Sequence, residues 1–165
     1  ADRWSYSESK NQNISIIASS KRQTYGHKLR HEIIEKFPGD IDVYGNGYCF
    51  VENKLQALKP YRYSVIIENE KSDTFFTEKL IDCFVTGTIP IYYGSNKISD
   101  HFNGTGIRMI ETVDDFDKVL KSIYKYGDLV MPGKEVIEEN FNKAQQFACP
   151  EDWLWINFFK KYELY

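Results

Sequence analysis

Short apolar runs that alternate with amphipathic segments constrain this fold more than any other feature of the sequence. These runs are rich in β-branched and aromatic residues, and they predict strands at 14–18, 42–44, 63–67, 89–93 and 107–110. Successive runs begin roughly 20–30 residues apart, which leaves room for crossover segments between them. The order predicts an α/β fold of Rossmann-like type, a parallel sheet with helices on both faces.

Helices are predicted where apolar residues recur with a period near 3.6 residues. The long segments of this kind are 27–37, 77–85, 114–124, 134–146 and 150–162. Shorter helical segments are expected at about 51–58 and 96–102.

The segment 150–162 is apolar on nearly all sides of its predicted helix. Its large side chains include Trp153, Trp155, Phe158 and Phe159. Two interpretations stay open: these side chains pack on the core of their own domain, or they form a contact surface for an N-terminal domain or a second copy of the chain.

Length and charge exclude several classes of protein. The 165 residues fit a single domain. A net charge of -3 gives no electrostatic reason to expect a nucleic-acid partner. No apolar run approaches the roughly 20 residues of a membrane-spanning helix, and the first ten residues are polar. We therefore expect no transmembrane segment and no signal peptide, and a location in the cytoplasm or peripheral to a membrane.

No pattern in the sequence points to a metal or a disulfide framework. The three cysteines are widely spaced. His27 and His31 lie one helical turn apart and could hold a metal, but no carboxylate or cysteine accompanies them at metal-ligand spacing, which favours a solvated helix face. The acidic residues at 40–42 enter a predicted strand rather than leave one, so we expect a structural role for them. No metal and no other cofactor is predicted.

A ligand of an open parallel sheet binds beyond the carboxyl ends of the strands. That rule selects the loops 19–26, 45–48, 68–77 and 94–96 before any motif is considered. The site is therefore expected at this edge of the sheet.

The loop 68–77 and the helix after it carry the most informative side chains. Asn69 follows a buried strand, and Glu78 and Lys79 begin the next helix. An ammonium group there suits a phosphate, and a carboxylate suits the hydroxyls of a sugar or ribose. The alternative is an ordinary surface helix that Thr77 caps and in which Glu78 favours the helix dipole.

The loop 19–26 combines a glycine with basic residues in front of a helix, but it lacks the glycines of a known phosphate-binding motif. Arg30 lies about one turn into that helix. Its guanidinium suits a diphosphate, which it can bind through two parallel hydrogen bonds. The alternative is that these basic residues form a solvated face of the helix.

Three motifs in order resemble one family of enzymes. They are 61–69 (YRYSVIIEN), 75–80 (FFTEKL) and 87–94 (GTIPIYYG). Upstream, the segments 16–20 and 42–45 and the side chain of Arg30 match the same pattern. The combination is similar to the C-terminal signature of glycosyltransferase family 10, the α1,3/α1,4-fucosyltransferases, and covers roughly residues 10–115.

This resemblance implies a GT-B architecture, in which two Rossmann-like domains enclose the active site. The chain would correspond to the C-terminal half, which binds GDP-fucose without a metal because basic side chains neutralise the diphosphate. The donor-binding residues that it implies are Arg30, Gly45, Glu68, Asn69, Phe75, Glu78 and Lys79.

The resemblance also implies a role for each of these residues. Arg30 and Lys79 would hold the diphosphate, and Glu78 would accept hydrogen bonds from ribose hydroxyls or fucose. Asn69 would reach the phosphate or sugar, and Glu68 would support the strand end.

Two further positions complete the set. Gly45 and the backbone near it would line the guanosine side of the site. Phe75 departs from the family, which usually has Tyr there, and thereby loses one hydrogen bond to the donor, about 0.5–1.5 kcal/mol.

The sequence begins close to the first strand of the donor domain. We therefore expect residues 1–165 to form one GDP-sugar-binding domain, with the N-terminal acceptor domain and its catalytic base absent from this chain. The expected function is donor binding for inverting, metal-independent transfer of fucose to a glycan hydroxyl. The alternative is a catalytically inactive module for nucleotide-sugar binding or assembly.

Overall fold

The computed structural model of the protein describes residues 9–73 and 75–147. Its five strands form one parallel sheet in the order β2-β1-β3-β4-β5. They are β1 (Gln12–Ile17), β2 (Asp42–Tyr44), β3 (Tyr61–Ile67), β4 (Ile89–Tyr93) and β5 (Arg108–Met109). The predicted parallel α/β fold is confirmed, and each predicted strand end lies within about two residues of the observed one.

Four helices connect or follow these strands. They are α1 (Tyr25–Lys36), α2 (Glu78–Phe84), α3 (Val113–Tyr126) and α4 (Lys134–Gln145). The helical segment expected at 51–58 is a single 3₁₀ turn, Lys54–Ala57, because Asn53 caps its start and Pro60 follows closely. The segment expected at 96–102 is likewise one turn, Ile98–Asp100. The helix predicted at 150–162 lies outside the described residues.

Successive side chains of a strand point to opposite faces of the sheet, and helices cover both faces. On one face, Val65 and Ile67 of β3 pack in a cluster with apolar residues of α1 and α3. On the other face, Ile66 packs in a second cluster with residues of α2 and α4. Each fully buried aliphatic side chain contributes about 1.5–3 kcal/mol. This double coverage explains why the sequence of β3 is almost continuously apolar.

The acidic residues at 40–42 have structural partners at the amino edge of the sheet. The hydroxyl of Tyr124 donates a hydrogen bond to Asp40 Oδ1 at 2.6 Å, and the hydroxyl of Tyr61 donates to Asp42 Oδ2 at 2.8 Å. The expected structural role of this segment is confirmed.

Lys10 ties together several segments at the same amino edge. Its ammonium donates hydrogen bonds to the carbonyl oxygens of Lys59 (2.9 Å) and Thr86 (2.8 Å) and to Thr88 Oγ1 (3.0 Å). These contacts join the segment before β1 to the turns that precede β3 and β4. Burial lowers the pKa of Lys10 to about 8.

This lowered pKa predicts a pH-dependent contribution to stability. Between about pH 8 and 10.5, the unfolded chain keeps a proton on Lys10 that the folded chain has released. The free energy of unfolding, measured by urea titration, should therefore rise with pH in this window relative to that of Lys10→Met. Parallel pH profiles for the two proteins would contradict this assignment.

Candidate functional site

The carboxyl ends of β1 and β3 lie side by side at the point where the chain changes direction in the sheet. From β1 the chain continues to β2 on one side, and from β3 it continues to β4 on the other. Ligands of open α/β sheets bind at such a switch point. The loops 19–26, 45–48, 68–77 and 94–96 all follow strand ends at this edge, as the sequence predicted.

Two glycines allow the loops to approach these strand ends closely. A Cβ atom on Gly26, at the start of α1, would overlap the carbonyl oxygen of Glu68. A Cβ atom on Gly45 would overlap the carbonyl oxygen of Ala18, and the φ angle of Gly45 is +113°. Gly45 therefore holds the loop after β2 against the end of β1.

Glu68 is a buried carboxylate at the end of β3, with 1% of its surface exposed. Its Oε1 accepts a hydrogen bond from the backbone N–H of Thr77 at 2.8 Å, and its Oε2 accepts one from Thr77 Oγ1 at 2.7 Å. The ammonium of Lys79 lies 3.2 Å from Oε2. These bonds fasten the start of α2, which Thr77 caps, to the central strand.

Arg30 reaches the same strand end from the opposite face of the sheet. Its guanidinium donates a hydrogen bond to the carbonyl oxygen of Ile67 at 2.7 Å, and 5% of the residue is exposed. The alternative of a solvated basic face is therefore wrong for Arg30. Burial lowers the pKa of Arg30, and the nearby carboxylate of Glu68 partly opposes that shift.

Several basic side chains surround His27 at the edge of the sheet near Arg30. The pKa of His27 is lowered first by burial and then by the charges of Arg30, Lys21, His31 and Lys79. These basic groups lie together although the chain as a whole carries a net negative charge.

An apolar pocket of about 160 Å³ lies on the α2 side of these strand ends. Its apolar lining includes Ile17 at the end of β1 and Ile66 near the end of β3. Glu78, Lys79 and Asp82 of α2 also line it. Lys54 completes the lining and donates a hydrogen bond to Asp82 Oδ2 at 2.9 Å.

A polar groove of about 430 Å³ lies on the other side of Thr77. It is lined by Glu68, Asn69, Phe75 and Thr77, among other residues, and Phe75 is 57% exposed. We call it polar because seven of its eight described lining residues carry a hydroxyl, amide or charged group, although their aliphatic parts also face the groove.

Lys71 fixes the loop that forms this groove. Its ammonium donates to Glu111 Oε1 at 2.6 Å and to Asn96 Oδ1 at 3.0 Å. Ser95 Oγ also donates to the carbonyl oxygen of Asp73 at 3.3 Å. The loop 68–77 is thereby attached to the loop 94–96.

The structure brings most of the predicted residues to one edge of the sheet, but it places them in three surroundings: the apolar pocket, the polar groove and the buried strand end. Glu78 and Lys79 line the apolar pocket, and Asn69 and Phe75 line the polar groove. Glu68 and Arg30 are buried, and Gly45 shapes a neighbouring loop. The aromatic residues predicted as a contact surface, Trp153, Trp155, Phe158 and Phe159, lie outside the described residues.

Asp82 and Lys54 are site residues that sequence reasoning missed. Asp82 lies four residues after Glu78 and three after Lys79, so the three share a face of α2. That spacing was the available signal for Asp82. No local pattern could place Lys54 next to α2, because the two segments meet through the tertiary fold.

Within residues 9–73 and 75–147, no three His, Cys, Asp or Glu side chains form a group that could hold a metal ion. Binding without a metal stays a prediction. No helix in this described part of the chain is long and apolar enough to cross a membrane.

Solved glycosyltransferases share this fold. An α1,3-fucosyltransferase crystallised with GDP-fucose superposes with a TM-score of 0.61 at 21% identity, over 90% of this chain and 48% of that one. The GtfA/B complex superposes with a TM-score of 0.59 at 13% identity, over 97% of this chain and 38% of that one. The fold is that of the C-terminal half of a GT-B glycosyltransferase.

The sequence comparison identifies the family. The profile of glycosyltransferase family 10 (fucosyltransferase), C-terminal part, matches residues 7–150. The chain therefore belongs to this family and is a fucosyltransferase-like glycosyltransferase domain. Alpha-(1,3)-fucosyltransferase FucT of Helicobacter pylori is 33% identical over 73 residues, which are 44% of this chain and 15% of that protein. The chain thus matches a small part of this curated relative's length.

The contact between Gly26 and Glu68 predicts a strong effect of a single methyl group. Gly26→Ala should lower the free energy of unfolding by about 2–4 kcal/mol, because the new Cβ meets backbone that cannot move aside. Gly104→Ala is the matched control, since its Cβ would meet the side chain of Ser99, which can rotate. Urea denaturation of both variants measures the difference, and equal small losses would contradict the close approach at Gly26.

Proposed function

We propose that this chain binds GDP-fucose as the donor domain of a fucosyltransferase that transfers fucose, with inversion and without a metal, to a glycan hydroxyl. The observation that carries the proposal is the order of surfaces at the carboxyl edge. An apolar pocket and a polar groove lie on either side of Thr77, with cationic side chains beside them. A nucleotide sugar has the same order of parts: an apolar base, a charged diphosphate and a polar sugar.

The apolar pocket suits the guanosine part of the donor. Ile17 and Ile66 offer an apolar surface for a flat base, and Glu78 offers acceptors for ribose hydroxyls. Guanine carries an N–H and an amino group on one edge, and a carboxylate accepts from both. Asp82 would supply that carboxylate, since Oδ1 makes no hydrogen bond within the described part of the chain.

The diphosphate would lie near Lys79 and Arg30. Lys79 is 32% exposed in its side chain and can bind a phosphate oxygen directly. Arg30 would act as a buried positive charge behind the strand end. Because charge develops on the leaving GDP during transfer, both cations would stabilise the transition state more than the bound donor.

The polar groove would hold the fucose ring. Asn69 offers an amide for sugar hydroxyls, and the exposed ring of Phe75 offers an apolar face. The solved α1,3-fucosyltransferase with GDP-fucose has the same fold, which supports this donor.

Proton removal from the acceptor would require a catalytic base other than Glu68. Glu68 does not suit that role, because 1% of it is exposed and both of its oxygens already accept hydrogen bonds. A catalytic base needs access to the hydroxyl that it deprotonates.

Calorimetric titration with GDP, UDP and ADP in the presence of EDTA tests the donor site. GDP should bind selectively without a metal, and Lys79→Ala should weaken GDP binding by about tenfold or more, since one charge-assisted hydrogen bond is lost. Lys118→Ala removes an exposed lysine far along the chain, on α3, and should leave affinity unchanged. Equal binding of the three nucleotides, or none with EDTA, would contradict the proposal.

Asp82→Asn separately tests the proposal that Asp82 recognises the guanine base. An amide can donate to the carbonyl that xanthine has in place of the amino group of guanine. The variant should therefore bind GDP more weakly and xanthosine diphosphate more tightly than the original protein. Lys54→Met, which removes the partner of Asp82 but keeps its carboxylate, should still prefer GDP. If Asp82→Asn kept the original preference for GDP over xanthosine diphosphate, guanine would have to bind elsewhere.

A further inference from the structure

We propose that Glu68 is a positioning residue that acts on the diphosphate through Thr77 and Lys79 without contacting the phosphates itself. The inference rests on the proposed donor site and explains how the phosphate-binding ammonium of that site is held in position. In this assignment, Glu68 determines where the ammonium of Lys79 lies before any ligand arrives.

Within the described part of the chain, the side-chain hydrogen bonds of Glu68 all lead towards the start of α2. The carboxylate accepts from the backbone N–H of Thr77 at 2.8 Å and from its hydroxyl at 2.9 and 2.7 Å. Thr77 Oγ1 in turn accepts a hydrogen bond from Lys79 Nζ at 3.0 Å. The hydroxyl of Thr77 is therefore a bridge between the carboxylate and the ammonium.

The carboxylate is enclosed and cannot swing out to meet a phosphate. Gly26 at the start of α1 lies against its backbone carbonyl. Gly94, after β4, leaves so little space that a Cβ atom there would lie 2.9 Å from Glu68 Cγ. With 1% of the residue exposed, Glu68 acts on the phosphates only through the groups that it holds.

Lys79 is held on one side and accessible on the other. Its ammonium has three N–H donors, and two bond to Glu68 Oε2 (3.2 Å) and Thr77 Oγ1 (3.0 Å). The side chain is 32% exposed and lines the apolar pocket. A phosphate can use the third donor while both internal bonds persist. Since a lysine side chain otherwise loses much rotamer freedom when it is ordered, this arrangement strengthens binding of the anion.

A double-mutant cycle with two ligands tests the assignment. Glu68→Gln keeps the size of the side chain but removes its charge and places amide hydrogens near Lys79. GDP affinity, measured by calorimetry on the whole chain, should fall about tenfold, and guanosine affinity should stay within about twofold. Combined with Lys79→Ala, Glu68→Gln should cause little further loss, because both changes remove the same positioned ammonium.

Substitutions at Thr77 provide a second test that does not alter the buried charge of Glu68. Thr77→Val removes the bridging hydroxyl and should also weaken GDP more than guanosine. Thr77→Ser restores that hydroxyl and should recover most of the lost GDP affinity. Thermal unfolding of each variant establishes that it is folded before binding is measured.

Three results would overturn the assignment of Glu68. Tighter GDP binding by Glu68→Gln would mean that the carboxylate acts as a repelling charge. Equal losses for GDP and guanosine would mean a general structural role, and additive losses with Lys79→Ala would mean independent action. If the unmodified chain binds neither GDP nor guanosine, the proposed function itself fails, which is a distinguishable outcome.

Discussion

The buried carboxylate of Glu68 is the interaction on which the carboxyl edge of the sheet depends. Removing a carboxylate from water costs several kcal/mol unless its oxygens are satisfied by hydrogen bonds. Here that requirement is met by the backbone and hydroxyl of Thr77 and by the ammonium of Lys79. The start of α2 is therefore determined by a polar contact with the central strand as well as by the apolar packing below it. Both candidate cavities border this contact, so their separation depends on it.

The sequence predicted the sheet well, and it predicted which loops meet at the carboxyl edge, because these depend on local signals. Continuous apolar runs of five to seven residues mark strands buried on both faces, and the polar residues after them must lie at the carboxyl edge. The same signals found Lys79 and Asn69. They could not foresee that Arg30 is buried against Ile67, since its exposure depends on how α1 packs on the sheet. The pairing of Lys54 with Asp82 was missed for the same reason, because 28 residues separate them and only the fold brings them together.

The two edges of the sheet differ in their chemistry. At the amino edge, polar groups such as Lys10 and Asp42 are used in bonds that join one segment of the chain to another. At the carboxyl edge, Lys79, Glu78 and Asn69 keep part of their hydrogen-bonding capacity for solvent or a ligand. A net charge of -3 conceals this difference, because several basic side chains lie close to His27 at the carboxyl edge. Average composition is therefore a poor guide to what such a domain binds.

The close approach of Gly94 to its neighbours has a consequence for how this sequence can change over time. A Cβ atom at position 94 would meet both the side chain of Tyr92 and that of Glu68. A larger residue at 94 therefore requires the side chains at 92 and 68 to move or to be smaller, while a smaller residue at 68 leaves Thr77 and Lys79 without their acceptor. The three positions are coupled, so each substitution has an effect that depends on the others. Such epistasis makes the order of mutations matter and confines this edge to few accessible sequences.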